Sequence, residues 1–390
     1  MTALIGTDAL WEELGAIRRD IHAHPELAYA ERRTAALVAN QLESIGLEVE
    51  TGIAGTGVVA TLQGGPGPSI GLRADMDALP ILEANGFAHR SRVDGKMHAC
   101  GHDGHTAMLL GAARHLAAQG GLAGTVRFIF QPAEEAAGGA RVMLDEGLFE
   151  RFPVDAVFGM HNWPGLPVGH FAMRPGPMMA SLDCFDAVIE GKGTHGALPQ
   201  HGIDPIATAA LAINAVQSIV SRNVDPLRSA VISVTRIHGG DAYNIVPERV
   251  ELGGGIRSFE PAVRALLKQR LEAVIAGVAG AMGARSSMSF SIDYPAVIND
   301  PVCTALAESV AAGLAGEDAV DGNADPVLGS EDFAFMLERK RGCYVLIGNG
   351  DSEGSCMIHN PGYDFNDEVI PIGVNYWVSL AEAFVANPLA

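Results

Sequence analysis

In Thr125-Val126-Arg127-Phe128-Ile129-Phe130-Gln131-Pro132-Ala133-Glu134-Glu135 an apolar run ends abruptly on two adjacent carboxylates. The run is rich in β-branched and aromatic side chains and reads as a strand. Pro132 ends it, because the ring has no N–H to give to a ladder. The same pattern recurs on either side: Ser69-Ile70-Gly71-Leu72-Arg73 runs into Ala74-Asp75-Met76-Asp77, and Ala156-Val157-Phe158-Gly159-Met160 stops at His161-Asn162-Trp163-Pro164. Gly57 to Leu62 is a further short β run. Helical spacing fills the intervals: Ala9 to Leu47 reads as two helices parted at His24-Pro25-Glu26, and Thr106 to Ala118 carries Leu109, Leu110, Ala113 and Leu116 on one side. Strands alternating with helices predict an α/β fold with a mostly parallel central sheet flanked by helices, and such sheets bind ligands beyond the carboxyl ends of their strands. The polar clusters fall at those ends.

Just before the Thr106 helix stands His98-Ala99-Cys100-Gly101-His102-Asp103-Gly104-His105. Cys100 and His102 lie two apart, so an extended backbone turns both toward one ion. Asp103 is placed to start the helix. A buried cysteine among satisfied core histidines is the plainer reading, but a core segment has little use for so much polarity at once. His22 and His24 are candidate ligands too, though a turn packed beside the site explains them as well.

From about Asp183 the pattern changes. Cys184 to Glu190, Ser229 to Ile237, Arg249 to Phe259 and Ser287 to Tyr294 read as strands, with helices over Pro205 to Ser221 and Pro261 to Met282. The order β-α-β-β-α-β is the ferredoxin-like arrangement and is complete in itself. We therefore expect an inserted domain over residues 183–295 within a discontinuous domain formed by 1–182 and 296–390. After the insert come helices over Pro301 to Leu314 and Ser330 to Arg339, a strand over Cys343 to Gly348, the loop His359-Asn360-Pro361-Gly362 and a closing helix from about Pro371 to Val385.

Composition narrows the partners. With 26 basic and 46 acidic residues the formal charge is −20, which disfavours nucleic acid and anionic membrane surfaces. The start, Met1 to Asp8, lacks the basic end and apolar core of a signal peptide, and no uninterrupted apolar run is read as a membrane span. Five scattered cysteines, an odd number, argue for reduced thiols and a cytoplasmic protein.

Adjacent glutamates at a strand end point to opposite sides, so one of Glu134 and Glu135 can bind a metal while the other faces a substrate. A solvated acidic turn capping the next helix is the competing account. His161 and His359 are each weak alone, but with Cys100 and His102 they make a set of N, S and O donors suited to two first-row divalent ions. Such a pair acidifies a water and polarises a carbonyl oxygen, which is amide-hydrolysing chemistry.

Arg73-Ala74-Asp75-Met76-Asp77-Ala78-Leu79-Pro80, Met97 to His105, Gln131 to Glu135, Gly159 to Trp163, Gly191 to Pro199, Gly329 to Phe333 and His359-Asn360-Pro361 closely resemble the metallopeptidase family of aminoacylases and glutamate carboxypeptidases. The nearest branch holds hippurate hydrolases and the amidohydrolases that cleave indole-acetyl-amino acids. The resemblance implies Cys100, His102, Glu135, His161 and His359 as ligands of two divalent ions (zinc, manganese, nickel or cobalt), with Glu134 as general base and then acid. It further implies a small lid domain that forms a homodimer, or a higher oligomer. In that assembly His195, assisted by Asn244, reaches the partner's active site to stabilise the oxyanion, and Arg257 pairs with the substrate carboxylate. His195 in a glycine turn, Asn244 as a loop cap and Arg257 as a surface ion pair are the plainer alternatives. Many family members carry a histidine where Arg73 stands, in a His-x-Asp pattern. Here Asp75 keeps its place, and the ligand duty passes to His102. His201 receives no role. The expected activity is hydrolysis of the amide of a small N-acyl amino acid. A dipeptidase or aminopeptidase on the same scaffold, and a non-catalytic metal-binding dimer, are the alternatives.

Overall fold

The structure is a computed structural model that describes residues 5–350 and 356–387. Residues 1–4, part of the start weighed above for a signal peptide, lie outside the described residues. The chain divides into two compact units, Met1–Met178 with Ile298–Asp325 and Asp332–Ala390, and Met179–Val297 with Pro326–Glu331. The second unit is a few residues wider at each end than the expected insert and takes in residues 326–331 as well.

The first unit is built on an eight-stranded sheet in the spatial order Glu48–Ile53, Gly57–Gln63, Thr125–Gln131, Ser69–Asp75, Ala156–Pro164, Arg341–Gly350, Phe171–Ala172, Val320–Asp321. The central pairings, Ser69–Asp75 with both Thr125–Gln131 and Ala156–Pro164, and Ala156–Pro164 with Arg341–Gly350, are parallel. The three strands that sequence patterning singled out therefore lie side by side, and their carboxyl ends share one edge. The helix His102–Gln119 packs against Ser69–Asp75 while the helices Asp8–Ala23 and Val369–Ala386 cover it. That explains why His102 to Ala113 is buried without a break and why the helix shows so little polar face.

Several local rules hold. Asp300 accepts from the N–H groups of Val302 and Cys303 and Pro301 follows it, so the helix Pro301–Ala315 starts where a cap and a first-turn proline place it. Other expectations are corrected. The helix expected over Ser330 to Arg339 contracts to Ala334–Leu337, because the Asp332 carboxylate is drawn into the interior by Arg73, Gln131 and the N–H of Ala140 instead of capping a helix. The helix starts at His102, not Asp103, behind a left-handed Gly101. The edge strand Glu48–Ile53 and the two-residue strands Phe171–Ala172 and Val320–Asp321 were not anticipated, being mostly exposed or too short to show a period. Among the described residues one helix, Val369–Ala386, does have the length and hydropathy of a membrane span; 67% of it is buried inside the fold, as a core helix should be.

His22 is not a ligand. Its ring donates from Nδ1 to Asp103 (2.9 Å) and from Nε2 to Glu83 (3.2 Å), with Arg18 3.6 Å from Asp103. Burial works against the charge, but the two carboxylates outweigh it and raise His22 to about 9. A pKa raised above its ordinary 6.5 contributes stability that is complete below pH 6.5 and is lost as pH rises through about 9. Melting temperature should therefore fall across that window, by the equivalent of about 3 kcal/mol at most, and His22→Gln should flatten the slope. A parent with flat stability over the window would refute the assignment.

The second unit carries a four-stranded antiparallel sheet in the order Ala230–His238, Arg249–Ser258, Ser181–Glu190, Arg285–Tyr294, which is the ferredoxin-like arrangement expected. The helices Pro205–Asn223 and Pro261–Ala281 pack on one face over Phe185, Ala187, Ile189, Val250, Leu252 and Ile256.

Candidate metal centre

The donors converge at the carboxyl edge of the parallel strands in the first unit. Cys100 lies in the loop before the helix, and Gly101 turns the chain with φ 98°, where a Cβ would stand 2.1 Å from Asn162 Oδ1. Only glycine fits that turn. His161 lies on Ala156–Pro164, and Glu134 and Glu135 open a short helix after Thr125–Gln131. His359 is itself left-handed, φ 63°, and its N–H donates to Ala99 O at 2.7 Å, tying its loop to that of Cys100.

Within this cluster the donor atoms of Cys100, His102 and His161 lie within 4.8 Å of one another, as do those of Cys100, Glu135 and His359 and those of His102, Glu134 and Glu135. Cys100 Sγ is 3.3 Å from His161 Nε2, and Glu135 Oε1 is 3.1 Å from His359 Nε2. All five expected ligands and the expected base are thus gathered in one place. His161 Nδ1 donates to Asn162 O at 2.7 Å, which leaves its Nε2 bare toward the thiol.

His102 is oriented by a residue that sequence reasoning passed over. Its Nδ1 donates to Asp77 Oδ1 at 3.2 Å, and its Nε2 is, among the described residues, without a hydrogen-bond partner. Asp77 also accepts from the N–H groups of Glu134 (3.1 Å) and Glu135 (2.9 Å). Asp75 sits deeper. It accepts from His105 Nδ1 at 2.6 Å and from Arg73 at 2.9 Å, and stands 3.6 Å from His102 Nε2. Burial opposes its charge, yet His102, Arg73 and His105 hold its carboxyl well below the usual range. The only sequence signal for Asp77 was its place two residues beyond Asp75. Outer carboxylates of this kind orient metal-ligating histidines. Asp77→Asn should weaken divalent-metal binding about 10- to 100-fold, read by titration against a chelator; unchanged affinity would remove Asp77 from that role.

The donor chemistry fits divalent cations. Burial, Glu135 and Glu134 push the Cys100 thiol well above its usual pKa, while the field of Asp75 and Asp77 overcomes burial and raises His102 to about 10. So much negative charge around sulfur and nitrogen donors is answered by cations, whose binding would displace those protons.

The other three expected residues lie in the second unit. His195 and Asn244 share a small ribbon, where His195 pairs with Ile245 and the Gly196 N–H donates to Asn244 O at 2.8 Å. The Ala197 N–H donates to His195 Nδ1 (3.0 Å), which puts the ring proton on Nε2. Arg257 Nη1 donates to Leu328 O at 2.6 Å, and its guanidinium is half-buried on the last part of its strand.

Such a sheet edge, with thiol, imidazole and carboxylate donors for two ions and a spare glutamate beside them, defines a metal-dependent hydrolase. The chain matches Peptidase family M20/M25/M40 over residues 71–383, and it belongs to that family. It is 41% identical over 370 residues to a hippurate hydrolase of Campylobacter jejuni, covering 95% of this chain and 96% of that protein. It is 42% identical over 369 residues to an N-acetylcysteine deacetylase of Bacillus subtilis, covering 94% and 95%. A solved Bacillus subtilis structure, described as a dinuclear metal binding peptidase from the M20 family, superposes with a TM-score of 0.84 at 37% identity, covering 97% of this chain and 99% of that one. The protein is a metal-dependent amidohydrolase of this family, with a site for two divalent ions.

Proposed function

We propose that the protein hydrolyses the amide bond of small N-acyl or N-aroyl amino acids, releasing a carboxylic acid and a free amino acid. One observation carries this reading: Glu134 stands beside Glu135 and His102 with its carboxylate within reach of the same donors, so a proton-accepting group adjoins the metal ligands. Cys100, His102, Glu135, His161 and His359 would hold the two ions, which acidify a water and polarise the scissile carbonyl when bound. Zinc suits the thiolate, and manganese, cobalt or nickel suit the remaining donors.

The chain's own groups do the rest. Glu134 takes the proton of the attacking water and hands it to the leaving amine nitrogen. His195 offers its Nε2–H to the developing oxyanion, with Asn244 assisting, and Arg257 pairs with the substrate carboxylate. Asp75 holds the floor of the site through Arg73 and His105. Residues 1–182 and 296–390 act as the catalytic domain, and 183–295 as the lid. That lid builds a homodimer: Leu198, Ile237, Tyr243 and Ile245 are exposed apolar residues on the unit that carries His195. Among the described residues no cysteine is in a disulfide, and a thiol kept available as a ligand suits the cytoplasm.

The decisive assay sets hippurate and N-acetyl amino acids against free dipeptides, with metal content measured on the same sample. We expect turnover of the acylated substrates to exceed that of the dipeptides at least tenfold, since a free amine next to the scissile bond gains nothing from this donor set. The opposite preference would establish a dipeptidase instead.

A further inference from the structure

Glu31 stands at the head of the helix Arg32–Ser44, and its side chain makes no capping bond to that helix. The carboxylate is fully buried and, besides Tyr29 in its own turn, reaches two other segments. Its Oε1 accepts from the N–H of Ala133 at 2.9 Å and of Tyr29 at 3.1 Å, and its Oε2 accepts from Thr56 Oγ1 at 2.6 Å. Both residues whose N–H it receives are non-glycine residues in the left-handed region, with φ 56° at Ala133 and 61° at Tyr29. An L-residue pays a steric penalty there and stays only when something outside the residue holds it.

Ala133 is the residue from which the two glutamates are launched. With Ala133 left-handed and Glu134 opening a helix, the N–H groups of residues 133, 134 and 135 are presented in succession, the first to Glu31 and the next two to Asp77. Two buried carboxylates thus gather the whole turn. Asp77 also orients a ligand, so its substitution disturbs the metal directly. Among the described residues no hydrogen bond joins Glu31 to a donor of the cluster, and its bond to the glutamate turn is the one from the Ala133 N–H.

We propose that Glu31 is a positioning residue for catalysis: by accepting the Ala133 N–H it locks the left-handed turn that presents Glu134 to the reacting water and Glu135 to the metal. The proposal rests on the hydrolytic reading above for the role of Glu134, and on the ligand set for that of Glu135. Without Glu31 the turn relaxes toward right-handed backbone, and the carboxylates shift by a fraction of their length.

The test is a set of variants of the full-length protein loaded with Zn²⁺. A displacement of about 1 Å costs roughly 100-fold in rate, so Glu31→Ala should lower kcat about 10- to 100-fold with KM within about threefold of the parent. Glu31→Gln keeps an oxygen able to accept from Ala133 and should fall between the two. The informative variant is Glu31→Ala combined with Ala133→Gly. Glycine adopts φ near 56° without the Cβ penalty, so the double variant should recover about fivefold of the lost kcat, together with most of the lost Zn²⁺ affinity, even if its melting temperature stays low. A merely structural Glu31 predicts instead that kcat follows the folded fraction and that Ala133→Gly restores nothing; that result overturns the proposal, as does a parent-like kcat in Glu31→Ala. Should Glu31→Ala fail to fold, Glu31→Gln with and without Ala133→Gly makes the same comparison. If the parent itself turns over no acylated amino acid, the hydrolytic reading fails on its own, and the Zn²⁺ affinities of the series still decide the role of Glu31.

Discussion

Glu134→Gln is expected to lower turnover of an N-acyl amino acid by roughly 10²- to 10⁴-fold, leaving KM and metal content near those of the parent. The change is isosteric. Glu134 Oε1 accepts from the Asp332 N–H at 3.2 Å, which an amide oxygen can still do, and the Glu134 N–H bond to Asp77 belongs to the backbone. What an amide cannot do is take a proton from water and return it to an amine. Glu135→Gln should behave differently, because Glu135 stands 3.1 Å from His359 Nε2 among the donors. Its loss should appear first as weakened metal binding, and added metal should recover part of the rate. Elemental analysis beside turnover separates the two patterns. A Glu134→Gln protein that holds its metal and works at the parental rate would strip Glu134 of its role as base.

What could be read from the amino-acid order was whatever local chemistry dictates. Pro132 marks the end of a strand because it has no N–H, so the carboxylates behind it had to lie at a sheet edge. The strand-like runs Cys184 to Glu190 and Ser287 to Tyr294, with helices headed by Pro205 and Pro261, disclosed the inserted sheet. The residues that escaped notice are those defined by distant partners. Asp75 and Asp77 have the same parity along the chain, and only the end of the strand at Asp75 shows that Asp77 has left the sheet to meet His102 and the glutamate turn. Glu31 carries no local signal of its role; its bonds to Ala133 and Thr56 span separations the sequence does not encode in any period. Left-handed backbone at Ala133 and His359 is equally invisible, because neither is a glycine.

His195→Ala should lower kcat by about 10²- to 10³-fold, and its dependence on subunit mixing carries more information than the loss itself. The His195 ring is exposed on a two-stranded ribbon, and with the Ala197 N–H donating to Nδ1 the free nitrogen is a proton-bearing Nε2, a hydrogen-bond donor with nothing in its own ribbon to receive it. A donor fixed in that tautomer is suited to an oxyanion. If it serves the partner's active site, a His195→Ala chain keeps its own Glu134 and lacks only the histidine that a neighbour supplies. In a heterodimer with Glu134→Gln, one active site then has neither group, and the other has both. Random exchange of equal amounts makes half the dimers mixed, so two nearly inactive proteins should together regain about a quarter of the parental rate. Covalently linking the subunits of each homodimer before mixing should abolish the gain. If mixing never exceeds the sum of the separate activities, although exchange is shown by labelled chains, His195 acts within its own subunit and the proposed sharing of active sites is wrong.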